Sequence, residues 1–134
     1  MGSSGITKEQ TDNGVLFTSK GTSQGVYLRK QGESQNYNYQ TPCCFEFDVI
    51  RFGDNSNPNI QFYNGSVNIS QTFSSLRITG RCHVKCEYKS DKAYFTVDNG
   101  TPIVNNRVCT DNARIMFTAI TSTLEIANVV IYPI

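Results

Sequence analysis

The chain has 134 residues, about one domain's worth, and a net charge of +1 from twelve basic and eleven acidic side chains scattered singly. No basic stripe is present to follow a phosphate backbone, so nucleic acid is excluded as an electrostatic partner. The longest aliphatic run, Val129-Val130-Ile131, is far short of the ~20 residues of a spanning helix, so no membrane insertion is expected. Thirteen Asn, twelve Ser and thirteen Thr accompany seven Tyr, eight Phe and no Trp. Asn and Gly favour tight turns while Thr, Tyr and Phe favour strands, a mixture that argues against helix throughout.

Met1-Gly2-Ser3-Ser4-Gly5 has the composition of a cloning remnant. Residues 1–12 are expected as a flexible leader ahead of a single domain over residues 13–134. Asp12-Asn13-Gly14 is a turn signal before the strand Val15-Leu16-Phe17-Thr18, and Gly25-Val26-Tyr27-Leu28-Arg29 is a second run. A polar stretch over residues 30–40 contains Tyr37, Asn38 and Tyr39. Phe45-Glu46-Phe47-Asp48-Val49-Ile50 alternates and predicts a half-buried strand. After a turn-rich loop to Pro58, Asn59-Ile60-Gln61-Phe62-Tyr63 resumes as strand, and Asn64-Gly65 signals a hairpin into Ser66-Val67-Asn68-Ile69.

Residues 76–79 are expected as a short strand. A longer one follows over 81–89, then a turn at Ser90-Asp91-Lys92 and the strand Ala93-Tyr94-Phe95-Thr96-Val97. Asp98-Asn99-Gly100 turns the chain into Pro102-Ile103-Val104. The C-terminal third holds strands over 113–119, 124–126 and 128–132. Nine to eleven short strands separated by turns predict an all-β sandwich or barrel.

Cys82-His83-Val84-Lys85-Cys86-Glu87-Tyr88-Lys89 alternates strictly. A strand there puts Cys82, Val84, Cys86 and Tyr88 on one face and His83, Lys85 and Glu87 on the other. Cys82 and Cys86 are then about 13 Å apart, too far for a disulfide. His83 points away from both thiols, so a Cys–His zinc site fails. These cysteines are read as small buried hydrophobes, and five cysteines leave at least one unpaired. Bridges among Cys43, Cys44, Cys109 and the other two stay open, with a reducing compartment preferred.

Three segments carry a resemblance. Residues 42–50 resemble the early core strand of concanavalin A-like (laminin-G-type) jelly rolls. Residues 82–104 resemble their paired strands, which end in Val-Asp-Gly, here split by Asn99. Leu124-Glu125-Ile126-Ala127-Asn128-Val129-Val130-Ile131-Tyr132-Pro133 resembles their closing strand, as seen in phage tail and surface-recognition proteins. The resemblance implies a two-sheet antiparallel jelly-roll sandwich with its first and last strands adjacent. It also implies a viral or tail-type appendage that recognises host surfaces, assembled in a reducing cytoplasm.

Glu46 and Asp48 share a strand face with Cα atoms ~6.6 Å apart, and paired carboxylates at short range cleave glycosides. Jelly-roll glucanases carry Glu-x-Asp-x-x-Glu, whereas this chain has Glu46-x-Asp48-x-x-Arg51. The third acid is missing, no Trp supplies a sugar platform, and the pair is read as the solvated face of a strand. His83, the lone histidine, is read the same way. Asp54 and Asp98 are isolated, so no calcium loop is present. No catalytic residue, metal or cofactor is expected.

Sugars are held by aromatic faces against their C–H side and by amide groups at their hydroxyls, as in any site with an apolar platform and a few oriented polar groups. Tyr37, Asn38, Tyr39, Asn57, Asn59, Gln61 and Tyr63 supply both. The expectation is a non-enzymatic module binding a surface glycan. The rivals are a structural module contacting copies of itself or neighbouring structural proteins, and a glycoside hydrolase using Glu46 and Asp48.

Overall fold

In a computed structural model the described residues are 6–19, 24–28, 39–53, 57–63, 68–107 and 113–134. They form eleven strands and no helix: β1 Ile6–Gln10, β2 Val15–Ser19, β3 Gln24–Leu28, β4 Cys43–Phe52, β5 Asn59–Tyr63, β6 Asn68–Thr72, β7 Cys82–Tyr88, β8 Ala93–Val97, β9 Ile103–Asn105, β10 Arg114–Ile120 and β11 Thr123–Pro133. They lie in two antiparallel sheets, one ordered β1-β2-β11-β4-β7-β8-β9 and the other β3-β10-β5-β6. The chain is a two-sheet jelly-roll sandwich, as the resemblance implies; the strand spacing by itself predicts a sandwich or barrel. β2, the first strand expected, pairs with the closing strand β11.

Strict alternation in β4 builds the core. Phe45, Phe47 and Val49 are fully buried, while Glu46 and Asp48 point outward from the seven-stranded sheet. Val84 and Cys86 of β7 and Phe95 of β8 continue the inner surface. Across the sandwich stand Ile60, Phe62, Ile115 and Phe117. Phe117 meets the ring of Phe47 edge-on at 5.0 Å and that of Phe45 at 5.9 Å. Phe62 stacks on Tyr88 at 4.2 Å. Aromatic contact between the layers is therefore made from both sheets, with geometry the ring quadrupole favours.

Two expectations are corrected. Ile6–Gln10 is not flexible leader but the edge strand β1, in register with β2 from Ile6↔Ser19 to Gln10↔Val15. Thr7, Lys8, Glu9 and Gln10 are exposed, so no buried-face pattern announces the strand; main-chain pairing holds it and Ile6 alone packs toward the core. Residues 76–79 are not strand either. Residues 73–77 form a turn in which the Ile78 amide donates to the Phe73 carbonyl (2.9 Å), with Arg77 at φ 60°. That turn buries Phe73, Leu76 and Ile78, and apolar residues spaced this way mimic a strand fragment.

Cys82 and Cys86 face inward on β7, and Cys43, Cys44, Cys82 and Cys86 are not in disulfides. Burial pushes the Cys82 thiol up to about 11 and Cys86 well above the usual thiol range. Cys109 lies outside the described residues.

Truncation of Phe117 to Ala is expected to cost about 3–5 kcal/mol, because it empties the contact between the sheets; urea denaturation of the variant measures it. Cys44 and Cys86, both fully buried, should alkylate only at the rate of unfolding, whereas denaturant exposes them at once. Rapid labelling of Cys86 under native conditions would contradict the register of β7.

Candidate functional site

The residues expected to hold a sugar are only partly brought together. In β5 the inward positions are Ile60 and Phe62, so Asn59, Gln61 and Tyr63 form a row on the outer face of the four-stranded sheet. Pairing sets Thr118, Met116 and Arg114 of β10 beside that row, and Thr72, Ser70 and Asn68 of β6 on its other flank. Tyr63 is 37% exposed. The Asn59 Oδ1 atom is buried and finds no donor among the described residues.

Asn57 precedes the row, and its Oδ1 accepts the Ser74 amide at 2.9 Å, which ties down the 73–77 turn. Tyr39 is a correction. It is 7% exposed within the core cluster, and its backbone pairs with Ala113, so its ring presents no platform to solvent. The polar sequence around it hid this, because one aromatic in a polar stretch carries no periodic signal. Tyr37 and Asn38 lie outside the described residues.

A second group, on the outer face of the seven-stranded sheet, escaped the sequence reading. The register of β4 on β7 sets Asp48 opposite His83 and Glu46 opposite Lys85. The imidazole lies between the two carboxylates, with Nδ1 2.6 Å from Asp48 Oδ1 and Nε2 2.7 Å from Glu46 Oε1. The Tyr132 hydroxyl donates to Glu46 Oε2, and the Asn128 amide donates to Asp48 Oδ2 at 2.7 Å. His83 is thus not simply a solvated strand histidine, nor are Glu46 and Asp48 a bare polar face.

Ionised carboxylates only accept hydrogen bonds, so both ring nitrogens of His83 must donate, which requires the imidazolium. Hydrogen bonds to Asp48 and then Glu46 raise the His83 pKa from 6.5. Glu46 is lowered by the Tyr132 hydroxyl first and His83 second, and Asp48 by the Asn128 amide first and His83 second. Contact with the Cys44 thiol and then with Glu46 pushes the Tyr132 phenol up, so it stays protonated as a donor.

Arg51 shares this face. Ile126 pairs with Val49 and Glu125 with Arg51, so one extra residue of β4, Ile50, is bulged. The bulge turns Arg51 outward, where its Nε donates to the buried Glu125 at 2.7 Å, and the Thr11 hydroxyl donates to the other carboxylate oxygen. The position of the third acid in the glucanase-like pattern thus holds a cation engaged by a neighbouring strand. Among the described residues no group of three or more His, Cys, Asp or Glu side chains could hold a metal ion.

No protein-family model and no curated protein matches the chain. Solved structures do. A carbohydrate-binding module, CBM66 from Bacillus subtilis, superposes with a TM-score of 0.67 at 11% identity, covering 95% of this chain and 91% of that one. A protein of unknown function with a galectin-like fold, also from Bacillus subtilis, gives 0.64 at 6% identity, covering 98% and 86%. The alginate lyase AlgAT5 of polysaccharide lyase family 7 gives 0.58 at 9% identity, covering 96% and 82%. At such identities the likeness is one of fold.

The imidazolium clamp makes stability depend on pH in a set direction. His83 has a raised folded pKa, so its contribution is complete below 6.5 and is lost as pH rises through the folded value. Glu46 and Asp48 have lowered folded pKa values, so theirs is complete above 4.5 and 3.8 and is lost as pH falls through the folded values. The stability difference between wild type and His83→Gln should therefore peak between about pH 4.5 and 6.5. With the His83 side chain 42% exposed, solvent screening limits each pair to about 1 kcal/mol or less. Urea titrations of both proteins across pH 4–10 check this, and a difference independent of pH would contradict the clamp.

Proposed function

We propose that this domain is a non-enzymatic carbohydrate-recognition module whose glycan lies along Asn59, Gln61 and Tyr63 on the outer face of the four-stranded sheet. The observation that carries the reading is that row. Two amide side chains and a partly exposed phenol stand at alternate positions of one strand, flanked by Ser70, Thr72 and Thr118. Amides donate to and accept from hydroxyls, while the ring covers the C–H side of a sugar. Fold likeness to CBM66, a carbohydrate-binding module, supports the same reading.

Glycoside hydrolysis by Glu46 and Asp48 is disfavoured by the same geometry. That chemistry needs one carboxyl protonated and the other ionised, with water or the anomeric carbon between them. Here the imidazole fills the space between them, and hydrogen bonds hold both acids ionised. No pair of groups with divided pKa values remains to serve as acid and base.

The setting we propose is a virion or cell-surface appendage that carries repeated copies. Its support is the likeness of residues 124–133 to the closing strand of jelly rolls in phage tail and surface-recognition proteins. Single-site affinity should be weak, in the micromolar-to-millimolar range or about −4 to −8 kcal/mol, and repetition raises it through effective concentration.

A glycan array identifies ligands, and titration of 15N-labelled protein with each hit locates them. Amide shifts are expected in β5 and β6. Tyr63→Ala should weaken the binding that produces those shifts by about tenfold or more, near 1.4 kcal/mol, with an unchanged unfolding midpoint. Wild-type affinity at β5 and β6 in Tyr63→Ala would overturn this location.

A further inference from the structure

The Glu46–His83–Asp48 row stands on the opposite side of the sandwich from Tyr63, at the middle of the larger sheet. β4, β7 and β11 carry it, and all three are flanked by strands on both sides. We propose that this face is a second ligand site, taking a polyhydroxylated ligand such as an oligosaccharide across Glu46, Asp48, Tyr132 and Val130, with His83 as the positioning residue. The proposal rests on this face alone and does not depend on the β5 row.

Acceptor capacity is the first argument. Each carboxylate offers about four lone-pair sites. The bonds to His83, Tyr132 and Asn128 occupy one site on each of the four oxygens. About one further site per oxygen is left for ligand hydroxyls. The side chains of Glu46 and Asp48 are 22% and 30% exposed, so those sites are within reach of solvent.

Preorganisation is the second. Each carboxylate is fixed at both oxygens by groups on two neighbouring strands, so little side-chain ordering remains to oppose binding. An apolar surface adjoins the acceptors. Val130 pairs in register with Glu46 and is 50% exposed, and Tyr132 follows it on the same face of β11. Acceptors beside an aliphatic and aromatic surface match a sugar's hydroxyl edge and C–H face.

Charge decides against a cation. The imidazolium already offsets one of the two carboxylates, Lys85 stands opposite Glu46, and no metal-holding group of three is present among the described residues. The groups facing His83 are Glu46 and Asp48 from β4 and Asp98 from the turn after β8, whose Oδ1 accepts the His83 main-chain amide at 2.8 Å. Arg81 and Lys85 flank it on its own chain segment. When His83 loses a proton, one carboxylate loses its donor and the two acids repel each other. Affinity at this face should therefore fall as pH rises through the His83 transition, while affinity at the uncharged β5 row stays level.

The experiment uses the array's soluble oligosaccharides at millimolar concentration with 15N-labelled full chain, followed at pH 6 and pH 9. Amide shifts in β4, β7 and β11, with a shift of the His83 ring nitrogens, are expected to persist in Tyr63→Ala. They should vanish in Val130→Lys, which alters an exposed position and leaves folding intact by its unchanged amide dispersion. His83→Gln should weaken binding at this face by about tenfold and abolish its pH dependence. Loss of all shifts in Tyr63→Ala, persistence of the β4, β7 and β11 shifts in Val130→Lys, or wild-type shifts confined to β5 and β6 would each overturn the proposal. The last result would leave the β5 reading standing. Shifts confined to β4, β7 and β11 would instead support this site and remove the other, and an array without hits would overturn both.

Discussion

The period-two alternation of β4, paired on both edges, is the constraint on which the rest of the domain depends. β11 and β7 hydrogen-bond to its two sides, so its backbone polar groups are satisfied while its side chains divide cleanly. Phe45, Phe47 and Val49 go inward, and the two phenylalanines meet Phe117. Glu46 and Asp48 go outward to meet His83, Tyr132 and Asn128. A slip of one residue in either register would bury two carboxylates and expose three core side chains. Burying those charges without partners is far more costly than any gain on the other face, so core and outer cluster fix the same register.

Alternation was readable where a strand has one buried face. Phe45 to Ile50 and Cys82 to Tyr88 have that pattern, and the inward positions expected of them are buried or half-buried. β1 was not readable, because an edge strand with four exposed residues owes its place to main-chain pairing with β2 and not to side-chain pattern. Tyr39 was misplaced for a related reason. Its burial comes from a single bridge to Ala113, a contact between residues 74 positions apart that leaves no local trace. The outward direction of Glu46, Asp48 and His83 was legible strand by strand. Their meeting was not, because it requires the register of two strands about 35 residues apart, and alternation leaves that register open.

The outer faces of the two sheets differ in electrostatic character, and this bears on chemistry. The β5 row itself is uncharged, with Arg114 beside it. Around β4 the row is ionic, yet the ions satisfy one another, and Arg51 with Glu125 repeats the arrangement one turn of the pleat away. A site meant to transfer protons keeps at least one group poised near its operating pH. Here the hydrogen bonds lower both acids and raise the phenol, and they favour the imidazolium form of His83. The network stabilises one charge distribution.

What shapes that network is a defect in pairing on β11. Between Ala127↔Asp48 and Val130↔Glu46 the chain advances three residues on β11 against two on β4, so β11 carries one extra residue. Asn128 lies in this bulge at φ 52°, a left-handed conformation that asparagine tolerates better than most residues. The bulge frees Asn128 from the ladder and aims its amide at Asp48 Oδ2. It also restores the alternation beyond it, so that Val130 and Tyr132 stand on the same face as Glu46. A regular β11 with one residue fewer would remove the donor from Asp48, and with the extra residue but no bulge would turn Tyr132 into the core. Bulges that re-aim side chains recur next to functional sites. Here the single inserted residue converts two outward acids on a core strand into an ordered row whose acceptors face solvent.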